Sequence, residues 1–162
     1  MRIPAGSCSR TSCFKLAMFV LVFGQWSCLA WGALGGPIES VRADQLHMKA
    51  SISILPYGAY RVEEIRTPTG TAIREYVSAA GTVFAVTWRG PLVPDMRQIL
   101  GRYFERYSNA VRAPHASGAG RRFLDMRDLG FVVQMAGHQR AYAGRAYDLQ
   151  LLPRGVTPND LR

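Results

Sequence analysis

The chain has 162 residues, with 20 Lys+Arg against 11 Asp+Glu and a formal charge of +9. That length suits one domain and leaves little room for two. A 48% hydrophobic and 19% charged composition excludes a disordered tail and a polytopic membrane protein; the charge raises nucleic acid as a partner and the three cysteines raise a metal or disulfide, so the placement of both decides.

Before Glu39 there is no acidic residue. Arg2, Arg10 and Lys15 precede an apolar run, Leu16 to Gly24, and small residues follow at Cys28-Leu-Ala30 and Ala30-Trp-Gly32. This is the three-part pattern of a secretory signal peptide over residues 1–32, with cleavage near Ala30 or Gly32. The competing reading is an uncleaved anchor over Leu16 to Gly36, which would hold the protein at the inner membrane. Cys28 lacks the flanking residues of a lipobox. Cleavage removes Cys8, Cys13 and Cys28 together and leaves a cysteine-free mature chain with 17 basic against 11 acidic residues. Disulfides, thiolate zinc sites and cysteine nucleophiles are then excluded. An exported basic chain meets envelope polymer or anionic lipid rather than nucleic acid.

Leu34-Gly-Gly-Pro37 reads as a flexible lead-in to one domain over residues 33–152. Alternation through Leu46, Met48, Ala50, Ile52 and Ile54 predicts a strand from Gln45 to Leu55, closed by a turn at Pro56-Tyr-Gly58. A second strand carries Tyr60 and Val62, and Thr67-Pro-Thr-Gly70 is a turn. A third strand runs over 71–78. Ala79-Ala-Gly81 closes a hairpin to a fourth, Thr82 to Trp88, rich in β-branched and aromatic residues. Consecutive strands on short turns imply an antiparallel meander.

Arg89-Gly-Pro-Leu-Val-Pro94 ends the sheet, and a helix from Asp95 to Ser108 follows. Asp95 is the N-cap, and Met96, Ile99, Leu100, Tyr103, Phe104 and Tyr107 share one face. Gly101 costs about 1 kcal/mol of helix propensity relative to Ala and is expected to mark a close approach to another element. Residues 110–120 read as the most mobile stretch. Arg122 to Met126, Phe131 to Met135 and Gln139 to Leu151 are three further strands, with a turn at Gly137-His138, before a tail over 153–162. The fold class is α+β, an antiparallel sheet of about six or seven strands packed on one amphipathic helix.

A three-residue loop at 79–81 would pair Tyr76 with Phe84 and Ala72 with Trp88. Arg74, Tyr76, Phe84, Val86 and Trp88 would then share the face under the helix. On that face Arg74, Tyr76 and Trp88 are the candidate ligand-binding residues of an aromatic groove whose arginine orients an anion or sugar, and burial of Trp88 and Tyr76 would remove the groove. Glu75 points to the other face, where solvent is the simplest surrounding. A hydrolase acting on envelope polymer, with Glu75 or Asp95 as acid/base, is the alternative and needs a second carboxylate about 5–10 Å from Glu75. Glu63 and Glu64 are neighbours on one strand and point apart. His47, His115 and His138 are isolated, so no metal is expected. No serine-hydrolase or nucleotide signature is present, and no cofactor is implied.

Arg74-Glu-Tyr76, Gly81-Thr-Val-Phe-Ala-Val-Thr-Trp-Arg-Gly-Pro91, Pro94-Asp95 and Leu100-Gly-Arg-Tyr-Phe104, with Leu34-Gly-Gly-Pro37 before them and Gly144-Arg-Ala-Tyr147 after, resemble an uncharacterised family of bacterial exported proteins, a domain of unknown function. The resemblance spans the mature chain and implies a signal peptide and one small domain, with no activity to carry over. The expectation is an exported periplasmic or envelope-associated protein with a non-enzymatic binding or interaction role.

Overall fold

The computed structural model describes residues 34–39, 41–42, 46, 49–112 and 123–162. The expected leader with its cysteines, His47, His115 and residues 113–122 lie outside the described residues. Seven strands form one antiparallel sheet. The first four make the expected meander, β1 (Ser51–Tyr57), β2 (Tyr60–Arg66), β3 (Ala72–Ser78) and β4 (Val83–Gly90), but β1 starts at Ser51 and not at Gln45, because Leu46 is helical and Lys49 turns the chain with φ +50°. The chain then crosses one face as a helical run, 96–112, and returns as a second meander, β5 (Phe123–Asp128), β6 (Phe131–His138) and β7 (Ala141–Asp148). The strand order is β1-β2-β3-β4-β7-β6-β5, so β7 lies between β4 and β6 and joins the two meanders.

Several turns sit slightly apart from where composition places them. Strand β1 runs through Pro56 to Tyr57, which pairs with Tyr60; an edge strand tolerates the missing N–H of proline. The β6–β7 turn falls on Gln139-Arg140, not Gly137-His138. Gly137 is needed inside the strand instead, because a Cβ there would lie 2.6 Å from the Ala141 carbonyl oxygen.

Asp95 caps the helix as expected: its Oδ1 accepts from the backbone N–H groups of Arg97 and Gln98 at 2.9 and 3.4 Å. The run divides into α1 (Met96–Leu100), a 3₁₀ turn (Gly101–Tyr103) and α2 (Phe104–Arg112), four residues beyond the expected end at Ser108. Gly101 has φ +46°. A positive φ is a conformation that residues other than glycine rarely adopt, which accounts for glycine at this break.

Leu34-Gly-Gly-Pro37 is not the loose lead-in its composition suggests. Gly35 N–H donates to the Val83 carbonyl at 2.7 Å, Val83 N–H to the Gly36 carbonyl at 3.0 Å, and Leu34 N–H to the Ile99 carbonyl at 3.2 Å. Leu34 is buried, so this segment ties α1 to the start of β4.

Each face of the sheet carries a cluster. The helix side buries Ile73, Val77, Val83, Val86, Trp88, Ile99, Leu100 and Phe131. Tyr103 stacks on Phe131 at 4.7 Å and donates to Asp148 Oδ2 at 2.5 Å. The other face buries Val62, Tyr76, Phe84, Ala85, Val132 and Tyr147 beneath the tail, whose Leu161 completes the cluster.

Candidate functional site

The β3–β4 register decides which side chains meet. Val77 pairs with Val83 but Tyr76 pairs with Ala85, so Phe84 is the extra residue of a β-bulge. A bulge turns two consecutive residues to one side. Phe84 and Ala85 therefore both face the tail, while Val83, Val86 and Trp88 face the helix. The expected common face of Arg74, Tyr76, Phe84, Val86 and Trp88 is corrected on this point. Arg74 and Tyr76 lie opposite Thr87 and Ala85 on the tail side, and Trp88 lies opposite Ile73 on the helix side. Tyr76 is 3% and Trp88 2% exposed, and no aromatic groove joins them.

The tail side holds a different site. Two rows of cross-strand partners traverse it. One reads Glu64, Arg74, Thr87, Arg145, Gln134, Asp125; the next reads Arg66, Ala72, Arg89, Ala143, Ala136, Phe123. Between these rows and the end of the tail lies an open trough of about 910 Å³. Alanines and Thr87 make its floor. Arg66, Arg74, Arg89, Arg145 and Arg162 line it, and no acidic side chain is among its described lining residues.

Neighbouring groups hold three of these guanidinium groups in place. Glu64 pairs with Arg66 at 2.5 Å and with Arg74 at 2.7 Å. Arg74 also donates to the Arg162 carbonyl at 2.9 Å. Arg145 donates to Gln134 Oε1 and to the Pro158 carbonyl, both at 2.7 Å. Tyr76 contributes by fixing the tail: its hydroxyl donates to the Arg162 carbonyl at 2.6 Å and accepts from the Arg162 N–H at 2.9 Å. Arg89 and Arg162 make no ion pair among the described residues, and both are exposed.

The hydrogen bond from Arg74, reinforced by the charges of Arg74 and Arg66, holds the Glu64 carboxyl below the ordinary glutamate range despite its burial. A depressed folded-state value means that the pairing stabilises the fold fully above the ordinary range and is lost as pH falls through the folded-state value. Glu64→Gln is expected to cost about 1 kcal/mol near neutrality and to remove part of the stability lost on acidification. Urea midpoints for both proteins near neutrality and in acid measure this; parallel pH dependences would count against the network.

The carboxylates of the hydrolase reading are placed elsewhere. Asp95 is engaged as the N-cap. Glu75 is not solvent-facing: it is 0% exposed on the helix side. The second carboxylate is present, because Glu63 is its direct partner across β2–β3, a position that brings Cβ atoms to about 4.5–5.5 Å. Glu63 is buried, pairs with Arg61 at 3.2 Å and borders a second cavity of about 390 Å³. Neither Glu75 nor Asp95 lines either of these two cavities. Among the described residues no His, Cys, Asp and Glu are grouped to hold a metal ion, and no helix is long and apolar enough to cross a membrane.

Of the trough arginines, the sequence pointed only to Arg74. Arg66, Arg89 and Arg145 sit on separate strands, and each by itself has the pattern of a solvent-facing residue. A family model described as a protein of unknown function (DUF2844) matches residues 30–161. No curated protein and no solved structure matches the chain.

Proposed function

The chain belongs to the DUF2844 family of proteins of unknown function, and we propose that it is an exported, envelope-associated binding module that holds an anionic ligand without transforming it. The observation that carries this reading is the trough: five arginines line a floor of small side chains, with no acidic side chain among its described lining residues. Guanidinium groups held by neighbours are suited to carboxylate or phosphate, because their planar donors meet two oxygens at once. Arg74, the arginine of the expected groove, keeps its anion-orienting role in a differently built site. Export rests on the leader pattern of residues 1–32, and the start of the family match at residue 30 is in keeping with cleavage near Ala30 or Gly32.

Arg89 is the residue to test, since it is exposed and makes no ion pair among the described residues. Arg89→Glu is expected to weaken binding to a carboxylated polymer at least about tenfold, or about 1.4 kcal/mol, with an unchanged unfolding temperature. Equal binding by the two proteins, or no binding of any anionic polymer by the wild type, would overturn the reading. N-terminal sequencing from an envelope fraction tests export, with Trp31 or Ala33 expected as the first residue.

A further inference from the structure

We infer that the ligand is a linear, carboxylate-bearing polysaccharide laid across the strands of the trough, an inference that rests on the anion-binding reading above. Four adjacent strands each supply one arginine: Arg66 from β2, Arg74 from β3, Arg89 from β4 and Arg145 from β7. They alternate between the two rows, so they form a zigzag. Diagonal neighbours on adjacent strands stand about 7–8 Å apart, and four strands span about 14 Å. A compact anion calls for donors converging on one point. Donors spread in series match a ligand whose charges recur along a chain.

The residues between the arginines suit an extended chain. Ala72, Thr87 and Ala143 alternate with them along the rows, leaving a low floor on which sugar rings can lie. Glu64 and Gln134, each 2.7 Å from its arginine, fix the planes of Arg74 and Arg145 before ligand arrives, which lowers the ordering cost of binding. Single-stranded nucleic acid is the less suitable occupant, because such sites stack successive bases on a series of exposed aromatic rings. Here Phe123, at the β5 end of the trough, is the one exposed ring among the described lining residues, while the rings of Tyr76 and Phe84 are buried beneath the tail and Trp88 faces the helix. A lipid surface suits protruding basic groups, whereas these line a trough walled by residues Leu161 and Arg162.

The test titrates the protein calorimetrically with galacturonate monomer and successively longer oligogalacturonates, then with single-stranded DNA and phosphatidylglycerol vesicles. Affinity is expected to rise about a hundredfold from the monomer to the oligomer that spans the four strands, and then to level off. Arg89→Gln should flatten the rise without changing the unfolding temperature. Equal affinity for monomer and long oligomer would overturn the polymer inference while leaving anion binding intact. Tighter binding of DNA or vesicles than of the longest oligomer would overturn the ligand class, again without touching the broader reading. Binding of none of these anions would overturn both.

Discussion

Gly144→Val is expected to destabilise the protein by about 3 kcal/mol, at the upper end of what overpacking a well-filled core costs. Gly144 lies directly opposite Trp88 across β4–β7. A Cβ there would stand 2.3 Å from Trp88 Cζ2, 2.6 Å from Cε2 and 2.9 Å from the backbone carbonyl oxygen of Gln134. The indole has no exit, because it is buried among Val86, Ile73 and the helix residues. The carbonyl belongs to the sheet itself, so the added methyls must push apart β4, β7 and β6 at the centre of the fold. Trp88 is the sole tryptophan after Trp31, and its fluorescence reports the event locally. A fall of roughly 10 °C in unfolding temperature is expected, with a red-shifted emission. Wild-type emission and stability would show that the indole does not pack on Gly144.

Deletion of residues 153–162 is expected to have a comparable or larger effect, about 3–5 kcal/mol. Leu161 is 4% exposed over Val62, Tyr76, Phe84 and Tyr147, and burying a leucine is worth about 1.5–3 kcal/mol. The tail also supplies the partners of the Tyr76 hydroxyl and one acceptor each for Arg74 and Arg145. A buried hydroxyl left unsatisfied costs a further 1–3 kcal/mol or so. Urea denaturation gives the loss, and binding of a hydrophobic dye by the shortened native protein reports the bared tyrosine and phenylalanine rings. Dye-silent protein of unchanged midpoint would mean that the tail is not a structural part of this face. Leu161→Ala separates the two contributions, since it removes the apolar contact while keeping the Arg162 carbonyl and its two donors.

Period-two alternation, the turn residues and Asp95 made the strands and helix legible, because each is a local signal. What stayed hidden depends on distant pairings. The bulge at Phe84 leaves no mark in Thr82 to Trp88, yet it parts Val86 and Trp88, under the helix, from Arg74, Tyr76 and Phe84 on the tail side, and so removes the expected groove. The zigzag of Arg66, Arg74, Arg89 and Arg145 exists only through the registers of three strand pairs, one of them the non-local β4–β7 pair. The tail offered one leucine in a polar stretch, and one leucine has no period. Glu75 was legible as a residue among apolar neighbours, but its burial depended on the helix covering its face instead of the opposite one.

The placement of β7 in the middle of the sheet bears on the order in which the molecule can assemble. The first meander and its helix can form while the chain is still emerging, but β4 then presents a bare hydrogen-bonding edge, and the β5–β6 hairpin presents another. Both edges are closed by the same eight residues, Ala141–Asp148, which come late in the chain. The sheet therefore cannot close until β7 is available. The same delay leaves two sticky edges open until the last strand arrives, so protection of the nascent chain matters more for this topology than for a simple meander.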